Sequence, residues 1–213
     1  MPIAPDIPRA VAFFDGQNLF DAVKKSFGYT FPNYDVKALA KRICGMNGWK
    51  LTQTRFYTGV PEAADNAFWN HFWSKKFLMM RREGVYTFSR PVRYIKMKVP
   101  LPDGTVFEMP VGDEKGIDVR IAIDTIRLAH KRRYDVALLF CQDQDLSELA
   151  TEIRSIAKEQ ARWIKIASAF PKNDNQPYLN RGIERTDWIS FDKRLYDKCI
   201  DHRDYRPKPS PEE

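Results

Sequence analysis

Four aspartates have the residue type and the placement that cation-assisted chemistry requires. Asp15 closes the apolar run Ala10-Val11-Ala12-Phe13-Phe14, and Asp143 and Asp145 follow a second run, Val136-Ala137-Leu138-Leu139-Phe140. Asp118 opens a helical pattern between the two. Short apolar runs that end in acids read as buried parallel strands with carboxylates at their carboxyl ends, and in an open α/β sheet that edge is where ligands bind. Carboxylates packed together repel one another, and a divalent cation such as Mg²⁺ relieves the repulsion. If the two runs are neighbouring strands, about 4.8 Å apart, Asp15 and Asp143 face each other and could share one ion.

The elements that must position these acids alternate along the chain. Strands are expected at about 10–15, 51–57, 85–98, 135–141 and 163–169, and helices at 18–27, 35–45, 62–83, 117–130 and 146–159. Asp103-Gly104 supplies a hairpin signal, and an amphipathic segment near 190–200 should pack on the outside. Strand–helix alternation implies a mostly parallel sheet with right-handed crossovers. One domain over 8–200 is expected, with 201–213 a flexible tail rich in proline and charge.

Three short stretches carry a resemblance. Phe14-Asp15-Gly16-Gln17-Asn18 resembles the DGxN opening of the NYN domain family, within the PIN-like nucleases. Lys115-Gly116-Ile117-Asp118-Val119-Arg120-Ile121-Ala122-Ile123-Asp124 resembles that family's KGxDxxLxxD stretch, and Cys141-Gln142-Asp143-Gln144-Asp145-Leu146 its SGDxDF. The three stand in the family's order and span about 10–170. The resemblance implies a PIN-like, Rossmannoid three-layer α/β sandwich with its acidic site at the carboxyl edge of the sheet. It further implies a metal-dependent ribonuclease, with Asp15, Asp118 and Asp143 on Mg²⁺ or Mn²⁺. Asn18 would orient Asp15 or a water, and Asp145 could complete the cluster. Attack by metal-activated water would leave a 5′-phosphate and a 3′-hydroxyl. The departure is Cys141-Gln142, where Ser-Gly is usual; it marks either weakened metal binding or a member that binds RNA without cutting it.

Read without the resemblance, several of these residues have plainer roles open to them. Asn18 could cap the helix after it, and Asp145 with Glu148 forms a capping-box pattern. Asp124 falls on the apolar stripe Ile117, Ile121, Leu128 and should point inward. A buried carboxylate needs donors, and Lys115 and the backbone after Asp15 are the expected ones, which makes Asp124 and Lys115 supporting groups behind the metal ligands.

The chain of 213 residues carries a net charge of +7 with a pI near 9.3, which favours an anionic partner, nucleic acid by default. Lys75 and Lys76, set among aromatics, and Arg93, Lys96 and Lys98 in a later basic stretch are the candidate RNA contacts. No apolar stretch approaches the ~20 residues a membrane helix needs, and the N-terminus lacks the features of a signal peptide, so a cytoplasmic protein is expected. Three scattered cysteines form no zinc spacing, and Cys141 beside carboxylates is a poor nucleophile. A haloacid-dehalogenase-type phosphatase needs an acid where Gln17 stands, and neither GxxxxGK[ST] nor GxGxxG is present. A non-cutting RNA-binding module and a flap-type DNA nuclease remain open, as does homo-oligomerisation.

Overall fold

The computed structural model describes residues 2–100, 105–113 and 115–208. Strand β1 (Arg9–Asp15) is the axis of the molecule. Its side chains alternate between two cores, as strand geometry dictates. Ala10, Ala12 and Phe14 face one, and Val11 and Phe13 the other. A strand buried on both faces needs apolar residues at every position, which is why this run shows no alternation of polarity.

Helices α1 (Gly16–Phe27), α2 (Val36–Met46) and α3 (Ala67–Arg82) cover the first face. Helices α4 (Ile117–His130) and α5 (Ser147–Glu159) cover the second. Between them lies a six-stranded sheet completed by β2 (Lys50–Val60), β3 (Tyr86–Pro91), β6 (Val136–Phe140), β7 (Lys165–Pro171) and β8 (Asp187–Phe191). The order is β3-β2-β1-β6-β7-β8 and every pairing is parallel. The chain winds outward from β1 in one direction, then returns beside it as β6 and winds in the other. The switch point therefore lies between β1 and β6, where Phe14 pairs with Phe140. The expected three-layer sandwich is what the chain forms, and no helix among the described residues is long and apolar enough to cross a membrane.

Four expected elements need correction. The run 85–98 is two strands. Pro91 ends β3, Val92 donates its N–H to the Val60 carbonyl, and the chain leaves the sheet as β4 (Arg93–Pro100), which pairs antiparallel with β5 (Val106–Asp113). The expected Asp103-Gly104 turn lies outside the described residues. Helix α3 starts at Ala67 rather than 62, because the Asn66 side chain accepts from the Trp69 N–H and sets the first turn there. The segment 190–200 combines the end of edge strand β8 with a short helix α6 (Lys193–Asp197).

The fourth correction concerns the tail. Residues 201–206 pack against the domain: Tyr205 is buried with its ring edge-on to Phe72, and Arg203 bridges Asp201 and Glu83. Beneath them Lys76 is buried, donating to the Tyr34 carbonyl 3.0 Å away and lying 3.8 Å from Asp201. Burial pushes the Lys76 ammonium down to about 8. A truncation that removes a buried aromatic of this size costs about 3 kcal/mol. Tyr205→Ala should therefore lower the urea midpoint by that equivalent without altering the slope, and a wild-type midpoint would show that the segment is indeed a loose tail.

Candidate functional site

The carboxyl end of β1 delivers Asp15 into a corner with little freedom. One carboxylate oxygen accepts from the Asn18 N–H at 3.0 Å and so caps α1. The next residue must be glycine, since a Cβ on Gly16 would lie 2.4 Å from the Phe56 ring and 3.0 Å from Thr58. The Asp-Gly pair is thus a requirement of packing as well as of chemistry. Because β6 runs beside β1, its exit carries Cys141, Gln142 and Asp143 next to Asp15. Asn18 ties the two exits together: its side-chain oxygen accepts from the Gln142 N–H at 2.8 Å. The helix cap is Asp15, and Asn18 is the cross-link.

Asp118 enters from the first turn of α4, whose preceding residue, Gly116, has φ +77°. A Cβ there would approach the Arg90 guanidinium to 3.3 Å, so glycine both permits the backbone and leaves room for Arg90 at the end of β3. Asp15, Asp118, Asp143, Asn18 and Lys115 line one open cleft of about 400 Å³, with Gln17 and Asp21 on its α1 side. Burial pushes the Asp15 carboxyl up to about 6; the Asn18 N–H pulls against this, and the charges of Asp143 and Asp118 add to it. Burial and two like charges for neighbours disfavour the ionised form, and a bound cation would favour it.

Among the described residues, no three of His, Cys, Asp or Glu gather tightly enough to cage an ion by themselves. The carboxylates are nevertheless hard oxygen donors, around an acid that burial and two like charges raise. They fit a Mg²⁺-like ion that keeps much of its water and takes only one or two protein carboxylates.

Cys141 and Gln142, at the departure, make hydrogen bonds of their own. The Cys141 sulfur accepts from the Asp143 N–H at 3.3 Å, and its S–H donates to the second Asp15 oxygen at 3.9 Å. Burial, then the charge of Asp15, pushes its thiol well above the ordinary range, so Cys141 stays protonated. The Gln142 side chain turns away from the acids and donates to the carbonyls of Leu179 and Arg181, pinning the loop after β7.

Other expected residues fall elsewhere. Asp145 is exposed and does not line the cleft; its N–H donates to Asp143, which caps a short 3-10 turn at Gln144–Leu146, and it makes no capping box because α5 has no side-chain cap. Asp124 points inward as its stripe requires, but its partners are not Lys115 or the backbone after Asp15. Tyr57 and Arg55 donate to one oxygen at 2.9 and 2.8 Å, and Arg120 and Arg127 lie 3.2 Å from the other. Burial would raise its carboxyl, yet the bonds from Tyr57 and Arg55 outweigh this and hold it below the usual range. Asp124 is a structural acid bonding α4 to β2. Lys76 is buried and Lys75 lines a separate pocket with His71 and Tyr205, so neither faces the acids. Lys98 is exposed near Glu108; the side chains of Arg93 and Lys96 lie outside the described residues. The residues missed at the sequence level are Gln17 and Asp21, whose i,i+4 spacing along α1 was the available signal. Lys25 and Arg181, in a cleft that adjoins the acids at Asn18 and Asp21, were also missed.

The NYN domain family matches residues 9–160 of the chain. No curated protein matches it. Among solved structures it is similar to VPA0982 of Vibrio parahaemolyticus, a protein of unknown function. The two share 14% identity over 90% of this chain and 97% of that one, with a TM-score of 0.52, which speaks to the fold alone. It has 10% identity to MurG of Acinetobacter baumannii, over 86% of this chain and 45% of that one, with a TM-score of 0.32.

The environment of Asp15 predicts a pH signature in metal-free protein. Its folded-state carboxyl titrates at about 6, against roughly 3.9 when unfolded. Its contribution is therefore fully present below about pH 4 and is lost as pH rises through 6. Asp15→Asn keeps the oxygen that caps α1 and removes the charge. In EDTA this variant should be more stable than wild type at neutral pH by about 1–3 kcal/mol, the difference vanishing near pH 4. Urea denaturation across pH checks this; equal stability throughout would mean that the acid is not buried as described.

Proposed function

We propose, on the premise that this chain belongs to the NYN domain family of the PIN-like nuclease superfamily, that it is a divalent-metal-dependent ribonuclease, with Asp15, Asp118 and Asp143 at its centre. The observation that carries the reading is that three separate elements bring these carboxylates to one open cleft at the switch point of the sheet. Nuclease ancestry supplies the reaction class, and the basic chain supplies the expectation of a polyanion.

Asp15, Asp118 and Asp143 would hold Mg²⁺ or Mn²⁺, one or two of them directly and the rest through bound water, with the RNA phosphate completing its coordination. Such an ion supplies a water of lowered pKa and neutralises charge on the phosphoryl oxygens. The chain's own residues do the positioning. Asn18 holds the β6 exit against the start of α1, and so sets Asp143 relative to Asp15. The Cys141 sulfur orients the Asp143 backbone. Lys115 at the cleft, and Lys25 and Arg181 in the cleft alongside, offer positive charge to the phosphates on either side of the bond to be cut. The non-cutting alternative rested on Cys141-Gln142; with the sulfur in a hydrogen-bonding position and Gln142 facing a loop, that pair gives it little support.

Cleavage of a pool of single-stranded and structured RNA should require Mn²⁺ or Mg²⁺ and stop in EDTA. Asp143→Asn should lower the rate about 100-fold or more, and the products should carry 5′-phosphate and 3′-hydroxyl ends. RNA binding without cutting under any metal would instead establish a binding module, and preferential cutting of flap DNA would move the substrate.

A further inference from the structure

Next to the acid cleft, and sharing Gln17 and Asp21 with it, is a second and larger hollow of about 530 Å³. Its walls are aromatic: Phe20 from α1, Trp69 and Trp73 from α3, and Tyr94 from the β4–β5 hairpin, with Lys24 at its margin. The size is that of a small-molecule site, and the shared Gln17 and Asp21 make it one continuation of the acid cleft.

Tyr94 is the ring placed to receive something. It is 38% exposed, whereas Trp73 is nearly buried. The ring lies against its cross-strand neighbour Gly112, where a Cβ would come 3.6 Å from it. The ring therefore packs against the hairpin on one side and remains partly exposed on the other. The opposite wall is fixed: Trp69 is wedged among Phe31, Phe68 and Phe72. At the floor of the approach, the Gln17 amide donates to Asp21 at 3.2 and 3.3 Å, which leaves the amide carbonyl and the carboxylate's remaining acceptor capacity for the polar edge of a flat ring. Aromatic walls, acceptors at an edge and a cation at the margin suit a nucleobase with its phosphate outside. A base held in a double helix cannot enter, because its faces are already stacked.

We propose that this hollow receives one unpaired base adjoining the phosphate to be cut, stacked on Tyr94, and that it makes the protein select single-stranded over paired RNA. The proposal rests on the ribonuclease reading above and adds to it a specificity-determining residue, Tyr94, on a hairpin outside the main sheet.

The test is binding of a short fluorescein-labelled single-stranded RNA, and of the same sequence as a blunt duplex, to the full chain in EDTA. Tyr94→Ala should weaken single-strand binding roughly tenfold, the usual scale for one stacked base, and leave duplex binding unchanged. Tyr94→Phe should bind as wild type does. A single abasic position in the strand should reproduce the loss in wild type and add nothing in Tyr94→Ala. Thermal melts confirm that the variants are folded, which the exposure of Tyr94 favours. Unchanged single-strand binding in Tyr94→Ala, with metal-dependent cutting intact, would overturn the subsite and leave the nuclease reading standing. An equal loss in Tyr94→Phe would overturn stacking in favour of the hydroxyl. Absence of both RNA binding and cutting in wild type would overturn the ribonuclease reading, and this proposal with it.

Discussion

The corner at Asp15-Gly16 is the constraint on which the rest of this structure depends. A strand buried on both faces ends there in a carboxylate, and the chain must turn at once into α1. Two demands meet in one side chain: an oxygen of Asp15 caps the helix, while the other faces the cleft and Cys141. The turn can be this tight only because Gly16 has no Cβ to strike Phe56 and Thr58. Since β6 is hydrogen-bonded to β1 along its length, the position of Asp15 also dictates that of Asp143, and Asn18 locks the two exits together. The site is rigid because it is assembled from the ends of the best-buried elements rather than from free loops.

Asp15 and Asp124 show how one residue type is given opposite fates. Both are buried. Asp124 faces Arg55, Tyr57, Arg120 and Arg127 and is held ionised, below the usual carboxylate range. Asp15 is pushed up to about 6, first by burial and then by the charges of Asp143 and Asp118, against the pull of the Asn18 and Gln17 N–H groups. The first arrangement uses charge to join a helix to a strand. The second keeps charge uncompensated until something arrives, as expected of a site that binds a cation. The protein tolerates the second because the cost is confined to one carboxylate at an open edge, where water reaches Asp118 and Asp143.

How much of this was legible in the sequence follows from how local each signal is. The strands at 10–15 and 135–141 and their terminal acids could be read directly, because an apolar run followed by Asp needs no distant partner to be interpreted. The inward turn of Asp124 was legible from helical period, but its partners were not: Arg55 lies 69 residues away along the chain, and only the β2–α4 packing brings it near. Lys76 looked like an RNA contact because it sits among basic and aromatic residues. Its burial depends on Tyr34, Asp201 and Tyr205, two of them in a segment whose composition resembles a loose tail. The strand β8, Asp187-Trp188-Ile189-Ser190-Phe191, carries polar residues because it lies at the sheet's edge, and edge strands lack the continuous apolar run that marks central ones.

The distribution of charge closes the argument. A chain with a net charge of +7 places its most buried uncompensated carboxylate at the one edge where the sheet opens. An acid-lined cleft repels a phosphodiester by itself, and a small cation among the acids would relieve that repulsion. On the proposed function, the basic surface draws the polyanion, and the phosphate to be cut enters among the acids with a small cation. That division of labour separates affinity from chemistry. Lys24, Lys25 and Arg181 lie in hollows that flank the acids, where on that proposal they would hold a strand along its length while the carboxylates meet it at a single phosphate.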